Sequence, residues 1–131
     1  MKSFRELLVW QRAIQLSVAI YRLTKDFPRE ELYGLSSQIR RAAISVQSNI
    51  AEGHGRLGTG EYRQFLAIAR GSNFELQTQL EIARALGIGD STLLNEAEGL
   101  SFEVGKMISG ILNAIKVKEF GRQPKPLTPK P

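Results

Sequence analysis

Apolar residues recur at three- and four-residue spacing through nearly the whole chain, and proline is absent from Arg29 through Gln123. That period marks amphipathic helix rather than strand, with none of the residue that breaks helices most reliably. Local punctuation divides the run into four. The spacing predicts a first helix from about Phe4 to Asp26, stopped by Phe27-Pro28, and a second over Leu35 to His54 after an extra turn at Arg29–Tyr33. Thr59 is the N-cap candidate for a third helix, which ends at Leu86-Gly87. Asp90, in GIGDST, caps a fourth that reaches about Lys118. Helices of this size are roughly 30–40 Å long, and short links make consecutive ones antiparallel neighbours. The expected fold is an all-α, antiparallel up-down four-helix bundle over residues 1–117. Residues 118–131 are expected to form a disordered basic tail, rich in proline and without periodicity.

Two of the helices are apolar on two sides. In helix 1, Leu7, Trp10, Ile14, Val18 and Tyr21 form one stripe, and Val9, Ala13, Leu16, Ile20, Leu23 and Phe27 form another. In helix 3, Tyr62, Phe65, Leu66, Ala69, Leu76, Leu80 and Ala83 make the main stripe. Its second stripe is Ala67, Gly71, Phe74, Thr78, Ile82 and Ala85. A square of four helices has no central member, so a second apolar face implies a partner. The expected partner is another copy of the chain. Val9, Ala13, Leu16, Ile20 and Leu23 of helix 1, with Ala67, Gly71, Phe74, Thr78 and Ile82 of helix 3, are the interface candidates, and Leu16→Glu is expected to dissociate the oligomer.

Polar residues follow lines of their own. Gln38, Arg41, Ser45, Asn49, Glu52 and Arg56 run along one flank of helix 2, placed to fix register, to grip a ligand or to meet solvent. Asn73 falls inside the main apolar stripe of helix 3, where Asn49 or Gln38 would be suitable partners. Arg63, Arg70, Gln77 and Arg84 repeat every seven residues on helix 3, a line about 30 Å long that an oligomer would multiply into a patch for phosphate.

The net charge of +5 is unevenly spread: residues 1–27 and 118–131 carry +3 each, 28–57 carry +1, 58–88 are neutral and 89–117 carry −2. The chain has no cysteine, which removes thiolate chemistry and Cys-based zinc sites. No stretch is long and apolar enough for a membrane helix, and MKSFRELLVWQR lacks a signal-peptide core, so a cytoplasmic protein is expected. The loop in SNIAEGHGRLGTGEYRQF, with four glycines and the single histidine His54, has neither the preceding strand nor the Lys-Ser/Thr of a phosphate-binding loop. It reads as a helix corner whose glycines take turn or left-handed conformations. No nucleophile with a base, no metal-ligand pair and no cofactor loop stands out, so neither an enzyme nor a cofactor is expected.

The succession YGL…Q.RRA…SNIAEG…GR, with FRELLVWQRA before it and EYRQFLAIARGSNFELQTQLEIA after it, resembles a four-helix-bundle family. That family is encoded in intervening sequences of bacterial large-subunit ribosomal RNA and includes the accessory variability determinant of diversity-generating retroelements. The resemblance spans about residues 4–117. It implies association into a pentameric ring and, for the retroelement members, binding of RNA or DNA and contact with a reverse transcriptase. The matching signature positions are Trp10, Tyr33, Gly34, Gln38, Arg40, Arg41, Ser48, Asn49, Glu52, Gly53 and Arg56. Together these readings give a homo-oligomeric accessory or scaffold protein with Arg40, Arg41, Arg56, Arg63, Arg70 and Arg84 as nucleic-acid candidates. The alternative is a protein-interaction module that binds no nucleic acid.

Overall fold

The computed structural model describes residues 3–56 and 58–122. A 3-10 turn at Phe4–Glu6 precedes α1 (Leu8–Thr24), and a second at Arg29–Glu31 precedes α2 (Leu35–His54). Then come α3 (Thr59–Leu86) and α4 (Ser91–Arg122), with no strand among the described residues. Each helix packs on its two sequence-adjacent or closing neighbours, α1 on α2, α2 on α3, α3 on α4 and α4 on α1, while the backbones of the diagonal pairs stay apart. Cross-helix bonds run in opposite order along each pair: Ser17 with Gln47 and Thr24 with Arg40, then Asn73 with Ser101 and Arg84 with Glu98. The helices therefore alternate in direction, as expected for an up-down bundle.

Most boundaries follow the local chemistry. Asp90 Oδ1 accepts the Leu93 N–H at 3.0 Å and caps α4. Gly87 takes φ +70°, and the bonds Ile88 N–H to Ala83 O (2.9 Å) and Gly87 N–H to Arg84 O (3.1 Å) close α3 in a Schellman turn. Three boundaries differ from expectation. The first helix is interrupted at Leu7, which is extended, because Ser3 Oγ caps the separate Phe4–Glu6 turn and Phe4 lies edge-on to Trp10 at 5.2 Å. Gly58, not Thr59, is the N-cap of α3, and no side chain bonds the free N–H groups there. Helix α4 continues to Arg122, so residues 118–122 belong to the bundle rather than to a tail; Glu119 ion-pairs with Arg63 and ties these turns to α3. The remaining tail positions, 123–131, lie outside the described residues.

The core reverses the expectation for α1. Val9, Ala13, Leu16, Ile20 and Leu23 are buried within the single chain, packed with Ile39, Val46 and Ile50 of α2, Leu66, Leu76 and Leu80 of α3, and Val104 and Ile108 of α4. They are core, not an oligomer interface. The other stripe looks outward, with Leu7, Trp10 and Ile14 half-buried and Val18 and Tyr21 each 44% exposed. The inward choice suits the geometry: Ala13, Ser17 and Ala19 lie at or beside the buried stripe and let neighbouring helices approach, while Trp10 and Tyr21 keep their polar edges near water.

Asn73 is fully buried, and its partner is on α4 rather than α2. Its Nδ2 donates to Ser101 O at 2.9 Å, and Ser101 Oγ donates back to Asn73 Oδ1 at 2.7 Å. Gln77 Nε2 donates to the same hydroxyl at 3.0 Å. Two glycines mark close approaches. A Cβ on Gly53 would stand 2.6 Å from Phe65 Cβ, so α2 can pass α3 at the corner only without a side chain. Gly89, at φ +91°, lies under Phe27, whose Cε1 would be 2.8 Å from a Cβ there.

Leu16→Glu, placing a charge in a fully buried position, is expected to abolish the cooperative thermal transition rather than merely separate subunits. Leu16→Ala should lower stability by about 2–5 kcal/mol. Circular dichroism melts of both variants test the reassignment; a Leu16→Glu chain with wild-type helicity and melting would contradict it.

Candidate nucleic-acid interface

Assignment of the arginines begins with their partners. Arg63 ion-pairs with Glu119, and Arg84 Nη2 reaches Asn95 Oδ1 at 3.0 Å and Glu98 Oε1 at 3.4 Å. Together with Gln77 on Ser101, these make most of the seven-residue line a seam between α3 and α4, with carboxylates answering two of its three arginines. Arg70 is the exception, half-buried and without a recorded partner among the described residues. Arg56 is held by Glu52 at 2.8 Å, lies 4.0 Å from Glu61, and covers the Phe65 ring at 5.0 Å. Four of the six candidates are thereby sorted: Arg56, Arg63 and Arg84 are neutralised locally, and Arg70 stands alone.

The polar flank of α2 turns toward α3. Ser45 Oγ and Ser72 Oγ are 2.8 Å apart, and Asn49 Nδ2 donates to Ser45 O at 2.8 Å. Gln38, Arg41, Ser45, Ser72 and Glu75 line a crevice of about 340 Å³ between the two helices. At the α2–α3 corner, His54 lies half-buried against Tyr62, ring centroids 6.2 Å apart in an edge-on arrangement. Burial pushes the Tyr62 hydroxyl above its ordinary pKa, so it stays protonated at neutral pH. The corner glycines do not adopt left-handed conformations: Gly55 is at φ −75° and Gly58 at φ −103°, and among the described residues only Gly87 and Gly89 have positive φ. The signature glycine Gly53 serves packing instead. Ser48 is exposed, and Trp10 sits at the other end of α1 from the basic residues described next.

Arg40 and Arg41 have a different setting. The turn at Phe27-Pro28 brings the last residues of α1 beside the first of α2, so Arg22, Lys25, Arg29, Arg40 and Arg41 gather at one end of the bundle. Three contiguous grooves open there. The largest, about 570 Å³, has Ile14, Val18 and Tyr21 as its floor and Arg22, Lys25 and Arg40 as its rim. The second passes over Lys25, Phe27, Arg29 and Arg40, and the third over Tyr21, Tyr33, Arg40 and Arg41. Arg40 lines all three, and no carboxylate lines any of them. Its Nε donates to Thr24 Oγ1 at 2.8 Å while its guanidinium covers the Tyr21 ring at 4.6 Å. None of the five cations has a carboxylate within ion-pair distance among the described residues, in contrast to Arg12, whose Nε lies 2.8 Å from Glu103 without hydrogen-bond alignment. Sequence reasoning named Arg40 and Arg41 but missed Arg22, Lys25 and Arg29; the helix-breaking Phe27-Pro28 was the available signal that the two helix ends meet.

Among the described residues no three His, Cys, Asp or Glu side chains are placed to hold a metal ion, and no helix is long and apolar enough to cross a membrane. Fold and surface thus define a small all-α bundle with a cluster of basic side chains lining the grooves at its α1–α2 end. The family model for the 23S rRNA-intervening sequence protein matches residues 5–110, and the chain belongs to that family. A crystal structure at 1.70 Å of a protein of unknown function from the S23 ribosomal protein family of Bacteroides thetaiotaomicron VPI-5482 superposes with a TM-score of 0.71. That pair is 23% identical, over 80% of this chain and 98% of the other, which establishes a shared fold. No functionally curated protein matches the chain.

The ion pairs that answer Arg63 and Arg84 are partly exposed, so the double substitution Glu98→Gln/Glu119→Gln should cost no more than about 1–2 kcal/mol in a urea unfolding titration. A larger loss would show that this seam holds the bundle together.

Proposed function

We propose that this protein is a non-enzymatic, RNA-associated accessory protein that works as a homo-oligomeric ring, most simply a pentamer. The observation that carries the RNA reading is the cationic end: five unpaired cations around three joined grooves with no carboxylate. Phosphate backbones are bound by such surfaces through counterion release, and a ring repeats the surface around one rim. Membership of a family named for 23S rRNA intervening sequences supports RNA over DNA as the polymer to test first.

The assembly reading rests on α3. Its outward stripe leaves Phe74 55% and Ile82 45% exposed beside exposed Ala67, Gly71 and Thr78, and a Cβ at Gly71 would meet nothing within 4 Å. Small residues there let a second helix come close. The outer side of α1 near its start, at exposed Leu8 and half-buried Trp10, is clear of the basic grooves and offers the complementary face. A contact between two different faces repeats head to tail and closes into a ring when the rotation permits. A protein-only interaction module is the second reading, favoured by the apolar floor that Ile14 and Val18 give the largest groove.

For the chain ending at Arg122, fluorescence anisotropy should show RNA affinity falling with salt at a log–log slope of about −0.7 per phosphate contacted. Arg22→Gln/Lys25→Gln/Arg41→Gln should flatten that slope by up to about three contacts, whereas Arg63→Gln/Arg70→Gln/Arg84→Gln should leave it nearly unchanged. No binding at low salt by the Arg122-ending chain would refute the RNA reading in favour of the protein-only module. In the same preparation, Phe74→Glu/Ile82→Glu should reduce the mass by light scattering while helicity is kept. An unchanged mass would refute the α3 interface.

A further inference from the structure

We infer that the cationic end binds unpaired nucleobases, with Tyr33 as a stacking platform and Arg40 and Arg41 as phosphate grips. The inference rests on the RNA reading above and narrows it to single strands.

Tyr33 is 93% exposed, the most exposed large hydrophobic side chain among the described residues. Nothing in the bundle's own packing accounts for it, since no aromatic or cationic group covers its ring among the described residues. The backbone immediately after it is anchored. Gly34 N–H donates to Glu31 O at 3.0 Å, and Glu31 Oε1 accepts the Leu35 N–H at 3.2 Å, fixing the entry into α2 one residue further on. A ring held at its base and open on both faces is the geometry that a stacked base requires.

The neighbours fit the same ligand. Tyr33 shares its groove with Tyr21, Leu32, Ser37, Arg40, Arg41 and Ile44, a volume of about 410 Å³. Tyr21 and Arg40 already form a stacked pair at 4.6 Å, so the groove offers two flat surfaces, one free and one cation-backed. Every base has a π-face, and aromatic platforms beside arginines are how single strands are held without reading sequence. Ser37 is the one neutral hydrogen-bonding side chain besides the two tyrosines, too little to read base edges. Sequence tolerance follows. A duplex keeps its base faces inside the stack, so it would meet the cations but not the tyrosine.

The test uses the full chain and a labelled, unstructured RNA strand of mixed sequence, alone and annealed to its complement, with the DNA strand of the same sequence in parallel. Tyr33→Ala should weaken binding of the single strand by about 5- to 100-fold and leave duplex binding within about two-fold, while Tyr33→Phe keeps both. The DNA arm tells whether ribose hydroxyls add to stacking: equal loss on both polymers, or a larger loss on RNA, each supports the platform. Single-strand affinity unchanged by Tyr33→Ala, or an equal loss on the duplex, overturns this inference while the RNA reading stands. Wild-type chain that binds neither strand nor duplex overturns both. Light scattering on Tyr33→Ala closes the remaining route: a fall in mass would make Tyr33 a subunit contact and overturn the platform.

Discussion

Two side chains on facing helices set the alignment on which the α3–α4 half of the bundle depends. Asn73 and Ser101 exchange hydrogen bonds in a site with no access to water, so sliding α4 along α3 by one turn would leave an amide and a hydroxyl buried without partners. Each orphaned group costs on the order of 1–3 kcal/mol, which is large against the stability of a chain this size. Hydrophobic side chains alone tolerate such slips, because leucine and isoleucine fill similar volumes in either register. With Asn73 fixed, Gln77 meets Ser101, Arg84 meets Glu98 and Arg63 meets Glu119 in turn. The buried pair thus decides which arginines are answered by acids and which stay free.

Charge alone is therefore a poor guide to function here. The chain's arginines fall into two populations that composition cannot separate. Arg56, Arg63 and Arg84, at the α2–α3 corner and along α3, each lie near Glu52, Glu61, Glu98 or Glu119, which offsets their charge locally. Those at the α1–α2 end share three grooves that no carboxylate lines, although Arg41 also borders the crevice holding Glu75, Arg22 borders a groove holding Glu96, and Asp26, Glu30 and Glu31 are close in sequence. Glu31 turns inward to cap α2, which removes one acid from that surface.

Much of the fold was legible in the sequence because its signals are local. Helical period, the Phe27-Pro28 stop, the Asp90 cap and the Gly87 terminus each depend on a few neighbouring residues, and all four helices are present, with the start of α1, the cap of α3 and the end of α4 shifted from where those signals put them. The orientation of α1 was not legible. Both of its stripes are apolar enough to be core, and the choice between them depends on which one has small residues opposite the neighbouring helices, a property of the pair rather than of α1. The candidate site was half legible for a related reason. Arg40 and Arg41 stand together in the chain, but Arg22, Lys25 and Tyr21 reach them only through the antiparallel return, and the acidic Glu30 and Glu31 dilute the charge of that segment. The regular row Arg63, Arg70, Arg84 is ambiguous in the sequence, since a seven-residue repeat marks a packed seam as readily as a binding line.

An even number of alternating helices has a further consequence. Both ends of the described chain, Ser3 and Arg122, lie at the end of the bundle away from Arg40 and Tyr33. The α2 helix alone, with 20 residues, puts about 30 Å between the two ends. A dye or surface linker joined at Ser3 or Arg122 is therefore attached on the side away from the cationic mouth. The fold is in that sense a plug with its cable at the back.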